Sequence, residues 1–143
     1  MSREDSIQLL NACADQLNRH MDTMEEVAIE VRDPLLLQKI HHGMDIHRPL
    51  QSEAQRLLQE YGMHRTVHPV ALLPGRLNAR LRLALQPSGA AAASVLTDGC
   101  CKTRRTLYRA KNQCPAADAP VLQLADAILH TEQGMSDQLK SHL

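Results

Sequence analysis

Apolar residues recur along this chain at alternating intervals of about three and four. Leu10, Cys13, Leu17, His20, Met24, Val27 and Val31 form one series, and Leu36, Ile40, Met44, His47, Leu50, Ala54, Leu57 and Tyr61 form a second. That interval is the one a helix uses to present a single face to packed neighbours. Between the series stands Asp33-Pro34, a capping residue followed by the residue best tolerated at the first helical position. The pattern predicts helix 1 over about Asp5 to Arg32 and helix 2 from Pro34 to Tyr61, stopped by Gly62. Pro49 is expected to kink or divide helix 2 near Ile46 to Arg48.

Leu72, Leu73, Leu77, Leu81 and Leu85, interspersed with Arg76, Arg80 and Arg82, predict a shorter helix ending at Gln86-Pro87. Ser88 is placed to cap a long helix that reaches about Lys111 on the stripe Ala93, Leu96, Cys100, Thr103, Leu107 and Ala110. After Cys114-Pro115, the stripe Val121, Leu124, Ile128, Glu132, Met135 and Leu139 predicts a last helix over about Asp118 to Ser141. No segment carries a strand signal. The simplest assembly is one all-α domain spanning residues 1–143, an up-and-down four-helix bundle with the short helix in the crossover between the second and third long helices.

Each long stripe is interrupted once by a polar or sulfur-bearing side chain. His20 and His47 stand equally far from the Asp33-Pro34 break, since their numbers average 33.5, and Cys100 and Glu132 average 116, at the turn near Cys114 to Ala116. At 1.5 Å per residue, all four lie on the order of 20 to 24 Å from their turns. One group from each long helix is therefore expected at a common level in the core. A bundle interior with convergent imidazole, carboxylate and thiol groups is a place where helical proteins hold metals. The candidate ligands are His20, His47, Cys100 or its neighbour Cys101, and Glu132, with Asp45, Asp98 and His130 near enough in sequence to support them. Zinc suits this mixed set best, whereas iron prefers more carboxylates.

Composition narrows the alternatives. With no Phe or Trp and two Tyr, the core must be built from Leu, Ala, Val, Ile and Met. Four cysteines without paired spacing argue for reduced thiols rather than a zinc-finger or disulfide framework. Nothing at the N-terminus resembles an export signal and no run approaches the roughly 20 apolar residues of a membrane span, so a cytoplasmic protein without membrane association is expected. Net charge is zero but segregated: residues 1–61 hold six basic against eleven acidic residues, while residues 62–112 hold nine basic residues against Asp98 alone. Arg76, Arg80, Arg82, Arg104, Arg105 and Arg109 are the candidate contacts for an anion or nucleic acid. Charge matching within the bundle or across a homodimer explains the same segregation. No phosphate-binding glycine loop is present, and no Cys–His pair comes with an oxyanion hole, so no catalytic residues are assigned and a binding or structural role is expected.

The strings "VRDPLLLQKI", "PLQSEAQRLLQEYG", "LPGRLNARLRLAL" and "LTDGCCKTRRTLYRA", in this order and followed by a terminal helix, resemble an uncharacterised bacterial family of ferritin-like four-helix proteins, known mainly as a domain of unknown function. The resemblance runs from about Asp5 to Leu139. It implies a ferritin-like bundle, self-association and a role in stress response. Members that keep the metal site use helix-borne glutamates and a histidine to bridge two irons. Here Cys101 precedes Tyr108 where relatives show Gly-Glu, Glu132 stands where they carry histidine, and no Glu-x-x-His motif occurs. The resemblance thus implies a di-iron centre that has been altered or lost.

Overall fold

The computed structural model describes residues 2–63 and 88–143. The short helix expected around residues 72–85, with Arg76, Arg80 and Arg82, lies outside the described residues. Among those described there are four long helices and no strand: α1 (Arg3–Glu30), α2 (Pro34–Glu60), α3 (Gly89–Gln113) and α4 (Ala119–Leu139), followed by a single 3-10 turn, Lys140–His142. None of these helices is long and apolar enough to cross a membrane.

Local chemistry sets the ends. Ser2 starts α1, its Oγ accepting from the Asp5 N–H at 3.1 Å, so this helix begins at Arg3, two residues before the expected start at about Asp5. Asp33 Oδ1 accepts from the Leu35 and Leu36 N–H groups at 3.0 and 3.5 Å, and Ser88 Oγ accepts from Ala91 N–H at 3.1 Å. These caps satisfy amide donors that the first helical turn leaves without partners. Gly62 ends the second helical segment with φ at +72°, a left-handed conformation that costs glycine little. Pro49 does not divide α2. It sits on an exposed position, where water can bond the carbonyl that proline's missing N–H leaves open.

The stripes face inward as their spacing dictates. Leu10, Cys13, Leu17, Met24 and Val27 of α1 are buried, as are Leu36, Ile40, Met44 and Leu57 of α2, Leu96 and Leu107 of α3, and Val121, Leu124 and Ile128 of α4. Burying one such aliphatic side chain contributes about 1.5–3 kcal/mol, so these stripes supply the main force holding the helices together.

Helix direction corrects the expected up-and-down order. Ser2 N–H donates to the Ala116 carbonyl at 2.6 Å and Tyr61 Oη donates to Asp118, which gathers the start of α1, the end of α2 and the α3–α4 turn at one end of the bundle. At the other end, Leu36 and Ile40 of α2 pack with Ala92 and Leu96 of α3 and with Leu139. The directions are therefore up, down, down, up. The chain leaves α2 at the end opposite to the start of α3, and a connection from Tyr61 to Ser88 is long enough to make that crossing.

Candidate metal centre

Each helix brings one candidate site side chain to the middle of the bundle, between two apolar clusters. His20 of α1, His47 of α2, Cys100 of α3 and Glu132 of α4 are all buried, three of them completely. The helical mirror anticipated this level, and the imidazoles of His20 and His47 meet edge to face with centroids 5.3 Å apart.

Glu132 stands between the histidines. Its Oε1 pairs with His47 Nε2, and its Oε2 lies 2.8 Å from His20 Nδ1. The second contact is short, yet it lies off the direction in which the N–H points. His20 Nδ1 and Glu132 Oε2 therefore remain buried without a directional hydrogen bond. On the other side of the ring, His20 Nε2 lies 4.0 Å from Cys100 Sγ. One ligand atom from each of His20, Cys100 and Glu132 falls within 4.8 Å of the others, which makes this trio a candidate for a single metal ion.

Proton counting fixes the role of His47. Its Nδ1–H donates to the Gly43 carbonyl at 2.6 Å, one turn back on α2, while Nε2 faces the carboxylate. Both ring nitrogens face acceptors, an arrangement that favours the doubly protonated ring beside an ionised Glu132. Burial pushes the His47 pKa down, but the hydrogen bond and charge of Glu132 and the Gly43 carbonyl outweigh it, and the net direction is up. Burial pushes the Glu132 carboxyl up, but the charge of the closely placed His20 and the hydrogen bond and charge of His47 hold it well below the ordinary carboxylate range. Burial, followed by the charge and hydrogen bonding of Glu132, drives the Cys100 thiol far above its usual value. In the absence of a metal that thiol is protonated and unreactive.

Two glycines that the apolar pattern did not single out make room for this cluster. A Cβ at Gly99 would meet the His20 ring at 3.1 Å, and one at Gly43 would meet the Met135 Cε and Sδ at 3.1 and 3.2 Å. The available signal was their cost, since glycine inside a helix is about 1 kcal/mol worse than alanine and needs a compensating reason.

The remaining candidates fall elsewhere. Cys101 is exposed: one residue turns a helical side chain by about 100°, so Cys100 and Cys101 cannot both face the core. Asp45 is exposed and pairs with Arg48 at 2.5 Å, and Asp98 and His130 also lie on exposed positions. None of the three supports the cluster from within. Of the basic candidates described, Arg105 and Arg109 share an exposed face of α3 one turn apart, whereas Arg104 is half-buried on another face.

Comparison with protein-family models, with curated proteins and with solved structures gives no match. The ferritin-like resemblance gains no support there, and the functional reading rests on this site.

Proposed function

We propose that this protein is a metal-binding helical bundle in which His20, Cys100 and Glu132 hold one divalent ion, with zinc the best fit. The carrying observation is the convergence of three buried ligand atoms within 4.8 Å of one another, two of those residues presenting atoms without a directional hydrogen-bond partner. Buried polar groups left in that state are costly, and a cation held by Glu132 and one nitrogen of the His20 ring offsets part of that cost. Imidazole, thiolate and carboxylate are all zinc ligands. His47 takes the supporting role: it grips the carboxylate oxygen and is itself oriented by the Gly43 carbonyl, as groups behind metal ligands commonly are. The parallel run of α2 and α3 matches bundles with one long crossover, ferritin-like folds among them, and supports reading the cluster as a remodelled ferritin-type centre.

A second reading has its own support. The run from the Gly43 carbonyl through His47 and Glu132 to His20 joins three helices without any ion, and a buried ionic cluster of this kind can serve to fix helix register rather than to bind.

Metal analysis and thermal unfolding of protein purified without an affinity tag separate the two. The metal reading predicts about one zinc per chain and a stabilisation of about 2.7 kcal/mol at a free zinc concentration 100 times Kd, since a ligand that binds only the fold must raise its stability. Cys100→Ser is expected to weaken both effects. Absence of bound metal, together with unfolding that zinc, iron and manganese leave unchanged, rejects this reading in favour of the structural cluster.

A further inference from the structure

The four central groups are almost fully enclosed, so an ion needs a route to them. A groove of about 240 Å³ runs between α2 and α4, and His47 is among the residues that line it. Here open space meets the polar cluster. His42 and His130, both exposed, contribute imidazoles to the groove from opposite helices. Met135 also lines it while being only 7% exposed, and its Sδ and Cε press against Gly43, where an added Cβ would also meet Met24 Sδ at 3.6 Å. Lys39 belongs to the groove as well, but its ammonium is held by the Gln138 carbonyl at 3.2 Å and Ser141 Oγ at 3.3 Å.

We propose that the α2–α4 groove is the entry and exit path for the metal ion, with His42 and His130 as capture ligands at its opening and Met135 as the movable plug between groove and core. This inference rests on the metal reading above. Neutral imidazole and thioether are ligands for borderline and soft transition metals, so an ion that sheds water at the opening meets replacement donors along the way. Methionine is the apolar side chain best suited to a plug, because three rotatable bonds let it swing aside without moving the backbone. Glycine at position 43 leaves the space in which the thioether sits.

Gly134 provides the test. A Cβ added there meets nothing within 4 Å, and a leucine favours the helix more than glycine does, so Gly134→Leu partly fills the groove without strain in the core. Zinc association is followed by stopped flow against a fluorescent chelator, and dissociation by transfer to excess chelator. The path predicts that Gly134→Leu slows both rates by about tenfold while leaving Kd unchanged, as expected when only the barrier is altered. The double variant His42→Ala/His130→Ala is expected to slow both rates as well, because residues that meet the ion only along the path change the barrier and not the bound state. Wild-type rates in both variants overturn the path while leaving the metal site standing. A wild-type protein that takes up no zinc at all overturns both.

Discussion

The two apolar halves of the bundle are built from different materials. The half that holds the start of α1 and the α3–α4 turn is a leucine and alanine core, with Leu9, Leu10, Leu17, Leu57, Leu58, Leu107 and Leu124 buried together. The half beyond the polar cluster contains Met21, Met24, Met44 and Met135, with Cys100 at its border. Leucine has few low-energy rotamers and fixes one packing, whereas methionine fills irregular space and rearranges cheaply. Rigidity thus lies on one side of the polar cluster and adaptability on the other, and the groove opens on the adaptable side.

That contrast can be broken most forcefully at the boundary itself. Glu132→Ala removes the carboxylate that both buried histidines face, and loss of one partner from a buried ion cluster costs about 3–5 kcal/mol. Urea unfolding of the metal-free protein measures it. A cost below about 1 kcal/mol, the range of exposed ion pairs, shows that the cluster is far better solvated than its burial implies.

The halves themselves are compared by truncation and by exchange. Leu10→Ala or Leu57→Ala in the leucine half is expected to cost about 2–5 kcal/mol, while Met24→Leu in the other half should cost under about 1.5 kcal/mol. Similar losses from both kinds of change in the same denaturation assay remove the distinction between a rigid and an adaptable layer.

Much of this arrangement was legible in the sequence. Every residue of the α3 and α4 stripes is buried, and the number symmetry that paired His20 with His47 and Cys100 with Glu132 placed all four at one level. This worked because straight helices convert sequence distance from a turn into height. Three things escaped it. Helix direction after a long connection is not encoded in periodicity, so the parallel run of α2 and α3 had to come from contacts across the bundle. The choice between Cys100 and Cys101 depended on rotation about the helix axis, which an extended polar face left open. The role of Gly99 is defined by the His20 ring opposite it, a contact between residues 79 positions apart.

Smaller effects sharpen the boundary further. In metal-free protein, Glu132 has a folded pKa below its unfolded value near 4.5, so its contribution is complete above that pH and is lost as acid protonates the folded carboxylate. His47 has a folded pKa above its unfolded value near 6.5, so its contribution is complete below that pH and is lost as the pH rises through the folded value. The two coincide between about pH 4.5 and 6.5. Stability measured across pH is expected to peak there, and His47→Gln should flatten the alkaline limb. An unchanged alkaline limb in that variant would place the titrating group elsewhere.

The smallest change in stability belongs to Gly99→Ala. A helix propensity gain of about 1 kcal/mol offsets a contact with His20 that becomes too close, leaving unfolding of the metal-free protein nearly unaltered. Zinc-dependent stabilisation should fall sharply in the same variant, because the ring no longer sits where Cys100 and Glu132 need it. Full retention of the zinc effect would remove Gly99 from the account.

The central claim is that one ion sits among an imidazole, a thiolate and a carboxylate donated by three different helices. X-ray absorption at the zinc edge of loaded protein addresses it directly. The account predicts one sulfur at about 2.3 Å with nitrogen and oxygen neighbours at about 2.0–2.2 Å, the sulfur vanishing in Cys100→Ser. A coordination shell of nitrogen and oxygen alone in the wild-type protein would contradict it.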